Sequence, residues 1–330
     1  MPAALSSSLV ELVAICDANE SRLRYIRREF GLNQVVAVTD YRKLFGAVDA
    51  VVLALPNDLH ASVGCDFLSR GIHVLCEKPL ATRSAECQQL CAAARDAGAV
   101  LAVGYYSRFY SSTELTRVLV HSGFLGELFS WDYEYGTTAG WETLSGYNLN
   151  RKESGGGVLV VSGSHFLDRM LYFFDDVAVS SYADDSRGGV EANCAVTFRC
   201  RANGESLEGR VALSRTFKLG NRLRIVGERG ALEVVEGQIH SVTFYPAGSE
   251  FRHELSYAAG NAFSDGENVF RLELEDFVSA IKDRRQPKAS GDQAELLAAI
   301  FEKCYEIATP LDEPWADATI PRLRMALPVT

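Results

Sequence analysis

The first hundred residues repeat one unit: a short run of β-branched and leucine residues, then a helix-length stretch. "VDAVVLALP" (48–56) is the clearest run. An unbroken apolar strand of this kind suits a parallel sheet covered on both faces, since a strand with one wet face would alternate. The same reading fits "VELVAICD" (10–17), "VVAVT" (35–39), "HVLCEKP" (73–79) and "AVLAVGYY" (99–106). Between these runs lie "ESRLRYIRREFG", "DLHASVGCDFLSRG" and "SAECQQLCAAARDAG", each long enough for a helix and each closing on glycine. Strands alternating with helices predict βαβ units and a doubly wound α/β sheet over residues 1–106.

After Ser107 the texture changes. "ELFSWDYEY" alternates with period two, and from Val177 to His253 several short alternating stretches are separated by turn residues. That pattern predicts a second, α+β domain over 107–330, built on a large open and mainly antiparallel sheet. Two helical stretches close it, "GENVFRLELEDFVSAIKDRR" and "QAELLAAIFEKCYEIA". One face of such a sheet needs a cover, which predicts a homo-oligomer formed through the C-terminal sheet.

Composition narrows the function classes. A net charge of -10 argues against a general nucleic-acid binder, which needs a basic face. No apolar run reaches the roughly 20 residues of a membrane span, so no membrane partner is expected. The eight cysteines form no C-x-x-C pair, and the six histidines show no metal-ligand spacing. Free thiols inside apolar runs act as small hydrophobes, and a reduced, cytoplasmic protein without a metal site is the expectation.

Three stretches carry chemistry. "HVLCEKPLA" ends a strand with Glu77, Lys78 and Pro79. "LALPNDLH" sets Pro56, Asn57 and His60 at the carboxyl end of another strand, where open α/β sheets bind ligands. "GGGVLVVSGSHFLD" puts a glycine turn before an apolar run that ends in His165 and Asp168. Together with "AVGYYSRF", "SGFLGE" and the closing "FVSAIKDRRQPKASGDQAELLAAIFEKCYEIA", these resemble the Gfo/Idh/MocA family of nicotinamide-dependent oxidoreductases over nearly the whole chain. The resemblance implies an N-terminal Rossmann domain, a C-terminal sheet domain, and a sugar- or cyclitol-like small-molecule substrate. Lys78 matches the family lysine at the reacting hydroxyl, and His165 the acid/base histidine. Alcohol oxidation needs a base for the O–H proton, and a buried lysine or an imidazole titrates in the useful range.

Glu77, Pro56, Asn57 and His60 are the expected cofactor contacts, with Arg108 and Asp168 beside Lys78 and His165 on the substrate. Asp17, ending "VELVAICD", suits the adenosine ribose hydroxyls and disfavours a 2′-phosphate, which tilts the cofactor to NAD over NADP. It also suits an N-cap position for the following helix. The aromatic cluster "WDYEYGTTAGWETLSGY" reads as core packing or as the wall of a sugar pocket.

Two positions depart from the family pattern. Where the family commonly has an aspartate four residues before the histidine, this chain has Val161, and Asp168 is a substitute candidate because residues three apart can share a helix face. Only "MPAALSSS" precedes "VELVAICD", and the first glycine is Gly31. A first strand, a G-x-G-x-x-G turn and most of a helix are therefore expected but not met. The strand's place is between "VELVAICD" and "VDAVVLALP", so two edges are expected to lack a partner. Three readings stay open: a working protein that extends upstream, a sheet that closes without this strand and takes another ligand or no cofactor, or a chain that binds without turnover. The leading expectation is an NAD-dependent sugar oxidoreductase. The rivals are a ligand-binding or regulatory protein on the same fold and a cofactor-independent lyase or isomerase with Lys78 as base.

Overall fold

A computed structural model describes residues 1–138, 146–257 and 269–311. The predicted parallel strands are present: β1 (Ala14–Cys16), β2 (Val36–Val38), β3 (Ala50–Leu53), β4 (His73–Cys76) and β5 (Leu101–Val103). They form two sheets, β1–β2 and β3–β4–β5, both parallel throughout. Among the described residues no ladder joins β1 to β3. Val36 and Val52 sit on these strands at 56% and 57% exposure, although their sequence runs read as fully covered. Helices Glu20–Glu29, His60–Leu68 and Ser84–Ala97 follow β1, β3 and β4. The first starts at Asn19, whose side chain accepts from the Ser21 and Arg22 N–H groups and so satisfies two orphan donors of the first turn.

The second sheet has nine strands: β6 (Leu128–Gly136), β7 (Asp175–Asp184), β8 (Asn193–Ala202), β9 (Glu205–Ser214), β10 (Arg222–Gly227), β11 (Gly230–Val235), β12 (Ser241–Pro246), β13 (His253–Ser256) and β14 (Thr309–Pro310). Their order is β13-β12-β11-β10-β6-β9-β8-β7-β14. All neighbours are antiparallel except β6–β9 and β7–β14. β6 lies at the centre, and its period of two sends Trp131 and Tyr133 into the core while Ser130 and Asp132 face the other way. Trp131 lies opposite Gly209 on β9, where an added Cβ would come within 1.8 Å of the indole. Glycine at 209 makes that close packing possible, and the indole then stacks on Phe174 and Phe198.

Helices Val269–Asp283 and Gly291–Glu306 return to the first part of the chain. Leu274 and Phe277 bury against Leu75 of β4 and Ala102 of β5. Full burial of two such side chains stabilises by about 1.5–3 kcal/mol each. These helices, read from sequence with residues 107–330, thus cover the sheet of residues 1–106. Their return brings the carboxyl ends of β4 and β5 against the helix that carries His165.

Candidate active site

Gly155–Gly157 is a crossing point between two parts of the chain. The Gly157 N–H donates 2.9 Å bonds to both carboxylate oxygens of Glu191, whose Oε1 also accepts from the Leu159 N–H and the Tyr305 hydroxyl, each at 2.9 Å. A Cβ on Gly157 would stand 2.1 Å from the Glu191 carbonyl oxygen, so only glycine permits this approach. Burial raises the pKa of Glu191, while its donors pull the other way. The sequence reading missed Glu191; its sole local signal is an acid after "GGV". The clamp fixes the start of two consecutive helices, Val158–Val161 and Gly163–Phe173, and so the place of His165.

Lys78 follows β4, and the Lys78–Pro79 peptide bond is cis. Its Nζ donates to the Val161 carbonyl at 2.7 Å. Position 161, where a family carboxylate was expected, thus serves through its backbone. Burial, only partly offset by Glu77, pulls the Lys78 pKa down to about 8. The Glu77 carboxylate turns the other way and accepts from the Lys78 backbone N–H at 3.2 Å.

Val161 and His165 line one cavity of about 180 Å³ with Tyr106, Tyr110, Tyr135, Phe166, Arg169 and Glu236. The His165 ring packs on Tyr105 and Tyr106, with centroids 6.3 and 4.7 Å away. Its Nδ1 is buried and has no hydrogen-bond partner. Burial first, then the charges of Lys78 and Arg169, push its pKa well below the usual histidine value. His165 is therefore a neutral imidazole at physiological pH, and next to it stands an amine whose pKa is drawn down to about 8.

Arg108 and Asp168 are corrected from substrate contacts to structural groups. Both are fully buried, and they pair with each other through bonds of 2.7 Å from Nε and 2.6 Å from the terminal nitrogen. Arg108 also donates to the Lys288 carbonyl at 2.8 Å and to Gln293 Oε1. Four of its five N–H donors are thus used inside the protein. Asp168 likewise does not replace the missing carboxylate: it shares a helix with His165 but turns to Arg108. One of the expected cofactor contacts, His60, is corrected for the same reason. His60 is fully buried, its ring bonded to the Pro79 and Leu55 carbonyls at 2.9 and 3.0 Å, and burial lowers its pKa. Asn57 is buried and donates to the Ser154 carbonyl at 2.8 Å, tying the end of β3 to the glycine turn. Pro56, half-buried, only begins the short 3₁₀ turn Asn57–Leu59.

Tyr106, Tyr110 and Glu236 carry no signal of their own in the sequence. Arg169 had one, as a charge four residues beyond His165 within an apolar helix. Of the aromatic cluster, Tyr135 lines the cavity and Trp131 belongs to the core, while residues 139–145 lie outside the described residues.

The nicotinamide dinucleotide implied by the resemblance meets acceptable residues at its two ends. Asp17, just beyond β1, keeps free acceptor capacity, since each carboxylate oxygen receives a single bond, 2.8 Å from the Asn19 N–H and 3.1 Å from Arg22. Glu77 and Lys78 stand at the end of β4. For the pyrophosphate between them, these 330 residues contain no G-x-G-x-x-G turn.

Known proteins share this fold. The model of the GFO_IDH_MocA oxidoreductase family, NAD-binding Rossmann fold, matches residues 1–105, and the GFO/IDH/MocA C-terminal domain matches residues 114–233. A D-glucoside 3-dehydrogenase of Escherichia coli (strain K12) is 33% identical over 181 residues, 52% of this chain and 49% of that protein, so the match spans about half of its length. A 1,5-anhydro-D-fructose reductase of Ensifer adhaerens is 27% identical over 293 residues, covering 86% of this chain and 84% of its own. Among solved structures, the 3-ketoreductase KijD10 from Actinomadura kijaniata, in complex with NADP and TDP-benzene, superposes with a TM-score of 0.80 at 20% identity. That likeness covers 94% of this chain and 93% of the other, and it shows the fold. With both of its domain models matched in order along the sequence, the chain belongs to the Gfo/Idh/MocA family of nicotinamide-dependent oxidoreductases.

Proposed function

We propose that this chain interconverts a carbinol and a ketone on a sugar-like ring, using NAD. The observation that carries the reading is that Lys78, its pKa lowered to about 8, is bonded to the carbonyl of Val161 in the wall of the cavity that neutral His165 also lines. Bound NAD supplies the hydride acceptor. As hydride leaves the carbinol carbon, the hydroxyl proton passes to a neutral base, and His165 is that base at neutral pH. Lys78, still largely protonated there, donates to the developing carbonyl oxygen and lowers the barrier electrostatically. In the direction of reduction the same two groups return the proton. Asp17 supports NAD over NADP, because a carboxylate at that strand end repels a 2′-phosphate. Residues 1–106 hold the cofactor in this reading, and residues 107–330 the substrate and, through the nine-stranded sheet, a second copy.

Calorimetric titration of the 330-residue chain with NADH tests this first, followed by a sugar and cyclitol screen read by NADH absorbance. Micromolar binding with turnover that Lys78→Met abolishes is the expected outcome. A folded chain that neither binds NADH nor turns over any of these compounds overturns the proposal.

A further inference from the structure

Opposite His165 the cavity ends in a buried ion pair. Arg169, one helical turn beyond His165, is 3% exposed and donates at 3.0 Å to the Tyr133 hydroxyl and also to Glu236 Oε1. The Tyr133 hydroxyl in turn donates to the same Glu236 oxygen. Glu236 directly follows β11, and its backbone N–H is pinned to the Asn221 carbonyl at 2.8 Å. The guanidinium lies over the Tyr133 and Phe166 rings, 5.4 and 5.5 Å from their centroids. The assembly is only partly satisfied from within the protein. Glu236 Oε1 takes both bonds, Oε2 takes none among the described residues, and the buried Arg169 Nε has no partner. The Glu236 side chain is 20% exposed and lines the cavity with Arg169, so its unpaired oxygen can take a donor from an occupant.

We propose that the Arg169–Glu236 pair is the selecting end of the cavity, where it grips ring hydroxyls of an uncharged sugar and discriminates against the corresponding sugar acids. The inference rests on the cavity described above being the substrate site. A hydroxyl is both donor and acceptor, so a pair of ring hydroxyls can give a proton to the free Glu236 oxygen and accept from Arg169. A carboxylate can only accept. It would lie beside Glu236, while the charge of Arg169 is already spent on that residue. An apolar ring would leave both groups unpaired. Tyr106, Tyr110 and Tyr135 provide the flanking rings that fit the faces of a sugar.

The test compares D-glucose, D-galactose and myo-inositol with D-glucuronate and D-galacturonate. Binding to the full chain in the presence of NADH is read by ligand-detected NMR, and turnover is read separately. The wild type is expected to prefer a neutral compound over its acid. Glu236→Gln, which keeps an acceptor for Tyr133 and Arg169, is expected to shift the neutral-to-acid ratio toward the acid by about tenfold or more, the worth of one hydrogen bond to a charged group. Arg169→Met should weaken the neutral sugars by a similar factor, and retained thermal midpoints separate selection from mere folding. Binding with the expected preference but without turnover removes the redox reading and keeps this one. A wild type that prefers the acids, binds none of the five, or shows a ratio that both variants leave unchanged overturns it.

Discussion

Glutamine in place of Glu273 should make this protein more stable, and the gain should grow with pH. Glu273 lies on the helix Val269–Asp283 at 7% exposure, and its Oε1 has no hydrogen-bond partner among the described residues. Burial, followed by the charges of Glu77, Asp168 and Asp276, pushes its pKa from 4.5 up to about 9. Between those values the folded chain holds a proton that the unfolded chain releases. Stability therefore falls as pH rises, by about 1.4 kcal/mol per pH unit at most, because the native state binds more protons than the unfolded one. The contribution is whole below pH 4.5, where both states are protonated, and is lost as pH climbs to about 9. At pH 7.5 the accumulated loss reaches roughly 4 kcal/mol, three units at that slope. Glutamine has the same shape and no proton to hold. Urea unfolding of wild type and Glu273→Gln from about pH 5 to pH 9 should show curves that nearly meet at the acid end and diverge steadily above it. A gap independent of pH, or a wild type that gains on the variant as pH rises, would refute the reasoning.

Two further outcomes follow from buried charge. For sugar oxidation, kcat/KM should fall as pH rises through about 8, because Lys78, its pKa drawn down to that value by burial, loses the proton with which it donates to the developing carbonyl oxygen; Lys78→Arg, which cannot titrate, should lose this limb, and its persistence in the variant would assign the limb elsewhere. Asp168→Asn leaves the Arg108 guanidinium buried beside a neutral partner and should cost about 3–5 kcal/mol in urea unfolding, while the double change Arg108→Met, Asp168→Leu should recover most of it; a loss under about 1 kcal/mol for the single variant would mean that the pair is solvated.

The sequence exposes those features whose physics is local. "VDAVVLALP" announces a parallel strand because burial on both faces leaves no room for polar alternation, and β3 lies within it. The central place of β6, parallel to β9, is set by partners some eighty residues away, and its period of two would be the same at any position in the sheet. Lys78 and His165 were legible because each stands at a structural punctuation, the end of a strand and the helix after a glycine turn. Arg108, Asp168, His60 and Asn57 stand at similar punctuation and look equally like ligand contacts. What separates them is the direction of a side chain, and that is decided by distant partners: Asp168 for Arg108 is 60 residues away, and Ser154 for Asn57 is 97.

Buried charge in this chain nevertheless leaves a trace in register. Arg169 falls four residues after His165 and Glu273 four before Phe277, so each polar group sits on the inward face of its helix, where neighbours are apolar. A charge in such a place has to be paired, neutralised or aimed at something absent. Asp168 is paired with Arg108, and Glu273 is neutralised by its shifted pKa. Arg169 is paired with Glu236, and the two line the cavity that His165 also lines. The three cases differ in what the fold brings opposite each charge. Only the third turns a cost of burial into a means of choosing a ligand, which is why the selecting end of the cavity is assigned to Arg169 and Glu236 and not to the buried Arg108.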